Sequence, residues 1–256
     1  SPPMLSRTRR MKKRGLRASL TVSRQVGKTA AQKTPGDTLR TPVDGKLRVT
    51  FLDVGQGDGI LVLSPTGKSV LIDAGIKEAA PVVAAAIREA GVKTLDLVIG
   101  THAHADHIGG MGAVLKSMNV EQYVDSGVPH TTRTYRDLMV VVKNESVPYQ
   151  SAQAGQVFEF DDGITMRVLW PGGTHLTGTR SDLNSNSVVL RIDHGEDCML
   201  LTGDAELVTE EMLVRHNLQP CDVLKVPHHG SSYQDLEWLT GLGARVAVVT
   251  VREGRE

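Results

Sequence analysis

From Lys46 onward, short apolar runs alternate with Gly, Asp and Pro. "KLRVTFLDV", "GILVLSP" and "SVLIDAG" are β-branched, too short for helices and bounded by turn residues, so they predict a strand meander. Pro81 at a first-turn position, the Ala-rich "VVAAAIREA" and Gly91 as a stop predict a helix, and "LDLVIGTH" reads as a buried strand. Ile108, Met111, Leu115 and Met118 recur at spacings of three, four and three, the pattern of one apolar helix face. The second half repeats the plan. "YQSAQAGQVFEF", "ITMRVLW", "SVVLRID", "CMLLTGD" and "CDVLKVP" predict strands, "AELVTEEMLVRH" a helix, residues 233–240 a short helix, and "ARVAVVTV" a last strand. Two sheet-rich halves, each with helices, predict an α/β fold of the α+β kind, with two sheets packed together and helices outside. No repeat is visible in the sequence itself.

Residues 1–45 break this pattern. They show no apolar periodicity and are rich in Arg, Lys, Ser, Thr and Pro, so they are expected to form a disordered basic arm or linker before one domain over 46–256. Charge sharpens the division. Residues 1–46 hold 12 Lys and Arg against 2 Asp and Glu, which leaves 17 basic and 27 acidic residues of the 29 of each in the chain. The arm is thus suited to phosphate, whether nucleic acid or anionic lipid, while the body is acidic. A hydrophobic content of 40% in 256 residues fills a real core. No apolar run approaches the roughly 18 residues that span a bilayer, so the chain as given is expected to be soluble. It begins with Ser1 and stops at Glu256 without a capping element, the expectation for a fragment truncated at the C-terminus. Cys198 and Cys221 lie in apolar strand-like runs and are expected to be buried free thiols.

The chemistry is concentrated in histidine. Nine are present, and five fall in two clusters: His102, His104 and His107 of "THAHADHIGG", and His228 and His229 of "KVPHHGS". Each cluster follows an apolar run, where the carboxyl edge of a sheet presents a site. In extended backbone the i, i+2 spacing puts the rings of His102 and His104 on one side. Asp106 and His107 then begin a helix, where neighbouring side chains diverge by about 100°. A zinc ion takes about four ligands and a catalytic site leaves one position open. These residues, with Asp204 of "LLTGD", exceed what one open site needs, so two adjacent divalent metals fit better, with Asp204 able to bridge them. His130, His175, His194 and His216 have no partner nearby in sequence and are expected to be ordinary surface or core residues.

"DVGQGDG" (residues 53–59) invites a nucleotide-loop reading, which fails because a strand follows it and because Asp58 would repel a phosphate. It reads instead as a tight turn at the mouth of the site, with Asp53, Gln56 and Asp58 as candidate supporting residues or substrate contacts. Arg133 and Arg136 of "HTTRTYR" and Arg180 of "GTRSD" are placed in loops, where they could receive phosphates.

"THAHADHIGG" resembles the HxHxDH signature of the metallo-β-lactamase fold, and "LIDAG", "LLTGD" and "KVPHHGS" stand where that fold supplies its other motifs. More narrowly, "FLDVGQGDGILV", "NSNSVVLRI", "LLTGDAE" and "DVLKVPHHGS" resemble the hydrolase domain of the ComEC family of competence proteins and its stand-alone relatives. The resemblance runs from about Leu47 to the end and leaves out the basic arm. It implies an αββα sandwich of two mixed sheets with helices on the outside. It implies that His102 and His104 bind one metal ion, that Asp106 and His107 bind the other, and that Asp204 bridges them. His228 or His229 would complete the second site. Asp73 of "LIDAG" would orient the histidine loop, and Asn186, Ser187, Lys225 and Ser231 would support the site or meet substrate. The sequence departs from the wider superfamily in one respect: "NSNS" (residues 184–187) stands where many members carry a middle histidine ligand, and Asn186 is expected to face the site in its place.

The expected activity is metal-assisted hydrolysis with zinc or manganese, in which a metal-bound hydroxide attacks and Asp106 and Asp204 are the catalytic carboxylates. The competence resemblance implies DNA uptake as the setting and a DNA phosphodiester as the substrate, with the chain an extracytoplasmic domain of a membrane-anchored or secreted bacterial protein. A small-molecule ester, lactone, thioester or phosphocholine-ester hydrolase would use the same motifs, and a non-catalytic metal-binding relative is the third reading. No protein partner is legible.

Overall fold

The central strands of the first half, Gly59–Leu63, Ser69–Ala74 and Leu97–Gly100, bury every residue on both faces, as strands do when their sheet is covered on both sides. The computed structural model describes residues 18–23, 45–160, 163–215 and 218–252. In chain order the first half contains β1 (Ala18–Ser23), β2 (Leu47–Leu52), β3 (Gly59–Leu63), β4 (Ser69–Ala74), α1 (Ala80–Glu89), β5 (Thr94–Leu95), β6 (Leu97–Gly100), α2 (Ala105–Ile108), α3 (Met111–Ser117), β7 (Asn119–Val120), β8 (Tyr123–Asp125), α4 (Arg133–Asn144) and β9 (Tyr149–Ser151). The second half adds β10 (Val157–Phe160), β11 (Ile164–Trp170), α5 (Asp182–Ser185), β12 (Val189–His194), β13 (Asp197–Leu201), α6 (Leu207–Arg215), β14 (Val223–Lys225), α7 (Leu236–Gly241) and β15 (Val246–Val248). One sheet has the order β1-β2-β3-β4-β6-β8-β9, the other β10-β11-β12-β13-β14-β15, and β5 pairs with β7 alone. In the first sheet β1 lies parallel to β2, β2 to β4 form an antiparallel meander, and the pairing is parallel from β4 onward; the second sheet begins as an antiparallel meander and turns parallel from β13.

Three apolar layers hold these elements together. Between the sheets, Phe51, Ile60, Ile72 and Ile99 meet Met166, Val168, Leu190 and Ile192. On the far side of the first sheet, Leu61, Leu71 and Val98 pack against Val83, Ile87, Met111, Leu115 and Leu138 of the helices. On the far side of the second, Val189, Leu200 and Leu224 meet Leu213 and Leu242. This is the expected αββα order. Each large side chain fully buried this way contributes roughly 1.5–3 kcal/mol. Among the described residues no helix is long and apolar enough to cross a membrane.

Several sequence expectations need correction. Ile108, Met111 and Leu115 are buried together, but on two helices rather than one, because the chain bends at Gly109–Gly110. A Cβ on Gly110 would lie 2.4 Å from the carbonyl oxygen of Ala74, so the bend packs backbone directly on the end of β4. "YQSAQAGQVFEF" is two strands in different sheets, separated by a turn with Gly155 at φ 92°. Arg133 and Arg136 belong to α4 rather than to a loop. Thr132 caps that helix by accepting from the Tyr135 N–H, and Leu138, Val141 and Val142 form its buried face. Cys198 and Cys221 are disulfide-bonded, not free. β13 and β14 turn out to be parallel neighbours, which brings the two Cα atoms to 5.2 Å across a sequence separation of 23. The expected arm lies outside the described residues except for Ala18–Ser23, which forms a strand parallel to β2 rather than irregular chain. Its "ASLTVS" carries the alternation of a strand, hidden by the basic residues on either side.

Glu210 of α6 is buried and accepts a hydrogen bond from the Asp235 N–H, while its Oε1 has no partner. Burial pushes this carboxyl up to about 7. The folded state therefore holds a proton that the unfolded chain releases near pH 4.5, and stability falls as pH rises from there to about 7. Glu210→Gln removes that loss. Thermal melts at pH 8 are expected to show the variant about 1–2 kcal/mol more stable than wild type, allowing for partial solvation. No difference is expected near pH 4.

Candidate metal centre

The carboxyl ends of the parallel strands converge on one cleft. β4 delivers Asp73, β6 runs into Thr101 and His102, β13 leads to Asp204, and β14 leads to His228 and His229. The turn between β2 and β3 closes over them. A Cβ on Gly57, at φ 120°, would lie 1.9 Å from the Asp106 carbonyl oxygen, so only glycine lets this turn rest on α2.

Asp204 lies at the middle, 2% exposed. Its Oδ2 is 3.8 Å from His102 Nε2 and 3.8 Å from His228 Nε2. Its Oδ1 is 3.3 Å from His107 Nε2 and 3.4 Å from His229 Nε2. His104 Nδ1 lies 2.9 Å from His102 Nε2, and Asp106 Oδ2 lies 3.7 Å from His229 Nε2. The two oxygens of one carboxylate thus face two different groups, His102, His104 and His228 on one side and Asp106, His107 and His229 on the other. His228 and His229 do not compete for one place. Each is in left-handed backbone, at φ 44° and 55°, and the rings turn to opposite sides of Asp204.

Three buried atoms here, His107 Nε2, Asp204 Oδ1 and His229 Nε2, have no hydrogen-bond partner. Buried polar atoms are almost always paired, and lone pairs converging in this way fit a cation. His102, His107 and Asp204 form one set whose ligand atoms lie within 4.8 Å of one another, and Asp106, His107 and His229 form a second. The donors are imidazoles and carboxylates, the ligands that suit zinc-like metals. On both counts the residues present fit divalent cations, and His107 is common to the two sets, facing both neighbours of Asp204.

The far sides of the rings are tied down. Asp73 takes His107 Nδ1 at 2.7 Å, the Thr101 N–H at 2.8 Å and the Thr101 hydroxyl at 2.7 Å. The Asp73 backbone itself is left-handed, φ 56°. His229 Nδ1 lies 2.8 Å from the Thr250 carbonyl oxygen, and the Thr250 hydroxyl donates to Asp58. Asp58 is paired at 2.6 Å with the fully buried Lys225, whose ammonium also donates to the Gly203 carbonyl and stands 3.8 Å from Asp204 Oδ1. His228 Nδ1 is 3.2 Å from Glu206 Oε1 and 3.2 Å from the Ser231 hydroxyl. The Ser187 hydroxyl accepts from the Asp204 N–H.

Electrostatics follow this packing. Burial disfavours charge on His107, yet Asp204 and Asp73 outweigh it and hold the imidazole well above its ordinary value. Burial likewise opposes the Asp204 carboxylate, and His107 with His229 holds it well below the usual range. Burial, then the neighbouring His107, keeps His102 well below its ordinary value, and burial lowers His104 and His228. His102, His104 and His228 are thereby favoured as neutral imidazoles beside an ionised carboxylate, the state in which such groups ligate metals, whereas His107 would give up a proton to a cation bound there.

Other expected site residues fall elsewhere. Asn186 does not face the centre: its amide is spent on Leu176 and Asp182 in the preceding loop. Asn184, the third residue of α5, is the nearer residue, 3.5 Å from His228 Nε2 and donating to Glu206. Asp58 is an internal support rather than a substrate contact, because it is buried with Lys225. Asp53 is exposed and bonds only its own turn, whereas Gln56 accepts from the Arg252 N–H at the rim. Arg180 is not a free phosphate receptor. It pairs with Glu206 through two nitrogens and stacks 3.8 Å from the Tyr233 ring. His130 is half-buried with its ring 6.4 Å from that of His104, His175 bonds the Ser126 carbonyl, His194 is buried, and His216 lies outside the described residues. Glu206, Thr101 and Thr250 were not legible as site residues, although Glu206 is only two positions past Asp204 in "TGDAE".

Known proteins share this arrangement of chain. Residues 52–251 match the Metallo-beta-lactamase superfamily. Recombination protein 2 of Haemophilus influenzae is 33% identical over 215 residues, covering 81% of this chain and 24% of that protein. ComE operon protein 3 of Bacillus subtilis is 30% identical over 202 residues, covering 72% and 25%. The chain thus spans about a quarter of the length of these relatives. Igni18, a metallo hydrolase from Ignicoccus hospitalis, has the same fold at a TM-score of 0.50 and 19% identity, over 80% of this chain and 82% of its own. With the histidine groups lying at the motif positions of that fold, the chain belongs to the metallo-beta-lactamase superfamily of hydrolases, as a relative of the ComEC-type competence proteins.

Proposed function

We propose that the chain is the hydrolytic unit of a two-metal phosphodiesterase that acts on DNA. The observation that carries this is the division of Asp204 between two histidine groups. His102, His104, His228 and Asp204 Oδ2 would hold one ion. Asp106, His107, His229 and Asp204 Oδ1 would hold the other. Divalent ions bound there supply Lewis acidity toward a phosphoryl oxygen and make a water acidic enough to react near neutral pH. A clamp with two centres suits in-line displacement at phosphorus, where the attacking and leaving oxygens lie on opposite sides. Relatives named for recombination and competence support DNA as the phosphodiester.

The chain's own residues do the rest. Asp106, partly exposed at the mouth, orients the attacking water and accepts its proton. Asp73 fixes His107 with its Nε2 turned inward, and Thr250 does the same for His229. Lys225 offsets the carboxylate charge around Asp204 without offering a ligand atom. His228 takes the place left by the middle histidine that "NSNS" lacks.

Native mass spectrometry after reconstitution with zinc or manganese is expected to show two ions per chain. His228→Ala and His229→Ala should each lose one ion, and Asp204→Asn should lose turnover of bis-p-nitrophenyl phosphate while keeping its circular dichroism spectrum. Fewer than half an equivalent in wild type would exclude a dinuclear centre. Retention of both ions in His228→Ala would remove that residue from the ligand set. Asp73→Asn leaves His107 without its anionic partner, so competition with a chelator should show metal affinity weakened by about 10–100-fold. Turnover of a lactone or thioester by a chain that leaves DNA uncut with zinc, manganese and magnesium would transfer the assignment to small-molecule hydrolysis.

A further inference from the structure

A cavity of about 530 Å³ opens between the helices of the first half, away from the histidine cleft but attached to it at both walls. One wall is Ile108 and Gly109, directly after His107. The other begins at Arg133, three residues past His130, whose ring stands edge-on to that of His104. Three residues of chain span at most about 11 Å, so the cavity lies near the cleft. Its floor, around Gly112 with Ile108, Leu138 and Val141, is apolar and carries no side chain at Gly112, where a Cβ would meet only Val141, and Lys77, Lys116 and Arg133 add cations from three separate stretches of chain. Asp137 is the one carboxylate in the lining, and it pairs with Arg133 at 3.3 Å. A cationic rim is unusual on a body with 17 basic and 27 acidic residues.

We infer that this cavity is a nucleotide subsite, which holds a base of a single-stranded DNA chain on the glycine floor and its phosphate on Lys77 and Lys116 while the metal centre acts on a neighbouring linkage. The inference rests on the phosphodiester reading for its substrate. The chemistry is that of a planar apolar group joined to an anion. A volume of this size lies within the range of pockets that enclose small ligands. An apolar hollow beside exposed cations suits a base and its phosphate better than a membrane surface. Lipid binding needs protruding apolar side chains, and of the exposed large hydrophobics only Val140 lies on these helices. Two lysines close to one strand also supply the local positive potential that the acidic body otherwise lacks.

The test uses the full chain in EDTA, with fluorescein-labelled dT8 followed by anisotropy over a series of salt concentrations. The exposed pair Lys77→Glu/Lys116→Glu is expected to weaken binding at least about tenfold and to flatten the slope of log K against log salt by about 1.4, at 0.7 per phosphate contact. Gly112→Leu fills the floor, since a Cβ there meets only Val141 at 3.8 Å. It should weaken binding to a similar degree without changing the salt slope. A control pair, Lys93→Glu/Lys143→Glu, should leave both quantities unchanged. Equal losses in the control pair, an unchanged slope in Lys77→Glu/Lys116→Glu, or undiminished binding by Gly112→Leu would overturn the subsite. Binding to phosphatidylglycerol vesicles that depends on Lys77 and Lys116 while dT8 binding does not would overturn it in favour of a lipid. Turnover of bis-p-nitrophenyl phosphate by the metal-loaded variants should equal wild type. Its absence from wild type as well would sink the phosphodiesterase reading while leaving the dT8 result to decide the cavity.

Discussion

A carboxylate with 2% of its surface exposed is expensive to keep ionised, and the arrangement around Asp204 is what offsets that cost. Four imidazoles face its two oxygens, and Lys225 stands behind it. Because each oxygen serves a separate group, displacement of Asp204 would uncouple both halves of the centre at once. The two sheets meet at this point, with His102 and His107 supplied from the end of β6 and Asp204, His228 and His229 from the ends of β13 and β14. The inter-sheet core therefore acts on the chemistry by fixing the residues that follow β6 against those that follow β13 and β14, since each histidine group draws on both sheets.

Backbone strain is concentrated at the same place. Three of the four non-glycine residues with positive φ, among the described residues, are Asp73, His228 and His229. A left-handed conformation costs an ordinary residue roughly 1–2 kcal/mol. Consecutive left-handed histidines persist because what they achieve, two adjacent rings aimed at opposite oxygens, is not available from extended or helical backbone. Glu206 and Ser231 hold one ring, and Thr250 holds the other. Arg180, spread over Tyr233 and paired with Glu206, completes the support for His228.

Much of this was legible in the residues. The strand meander, the helix from Ala80 and the two histidine clusters follow from short-range pattern, and the seven residues singled out as metal ligands lie together in one cleft. What escaped the sequence is long-range. Cys198 and Cys221 pair only because β13 and β14 are neighbours, which no local pattern states. His228 and His229 read as competitors because their separation depends on two positive φ angles. Asn186 stood in the motif, but α5 turns Asn184 toward the centre and Asn186 toward the Leu176 loop. The break at Gly109–Gly110 was written in the glycines, yet its cause is the distant Ala74 carbonyl. Helix α4 is a different case. Thr132 as a cap and the spacing of Leu138, Val141 and Val142 mark it locally, while Arg133 and Arg136 in its first turns give that stretch the polar character of a loop.

The central claim is that one carboxylate joins two metal positions, and that adjacent histidines serve one each. Anomalous diffraction from crystals grown with manganese tests it most directly. The account predicts two peaks, one among His102, His104 and His228 and one among Asp106, His107 and His229, with an Asp204 oxygen on each. A single peak, or two peaks with His228 turned away from both, would contradict it.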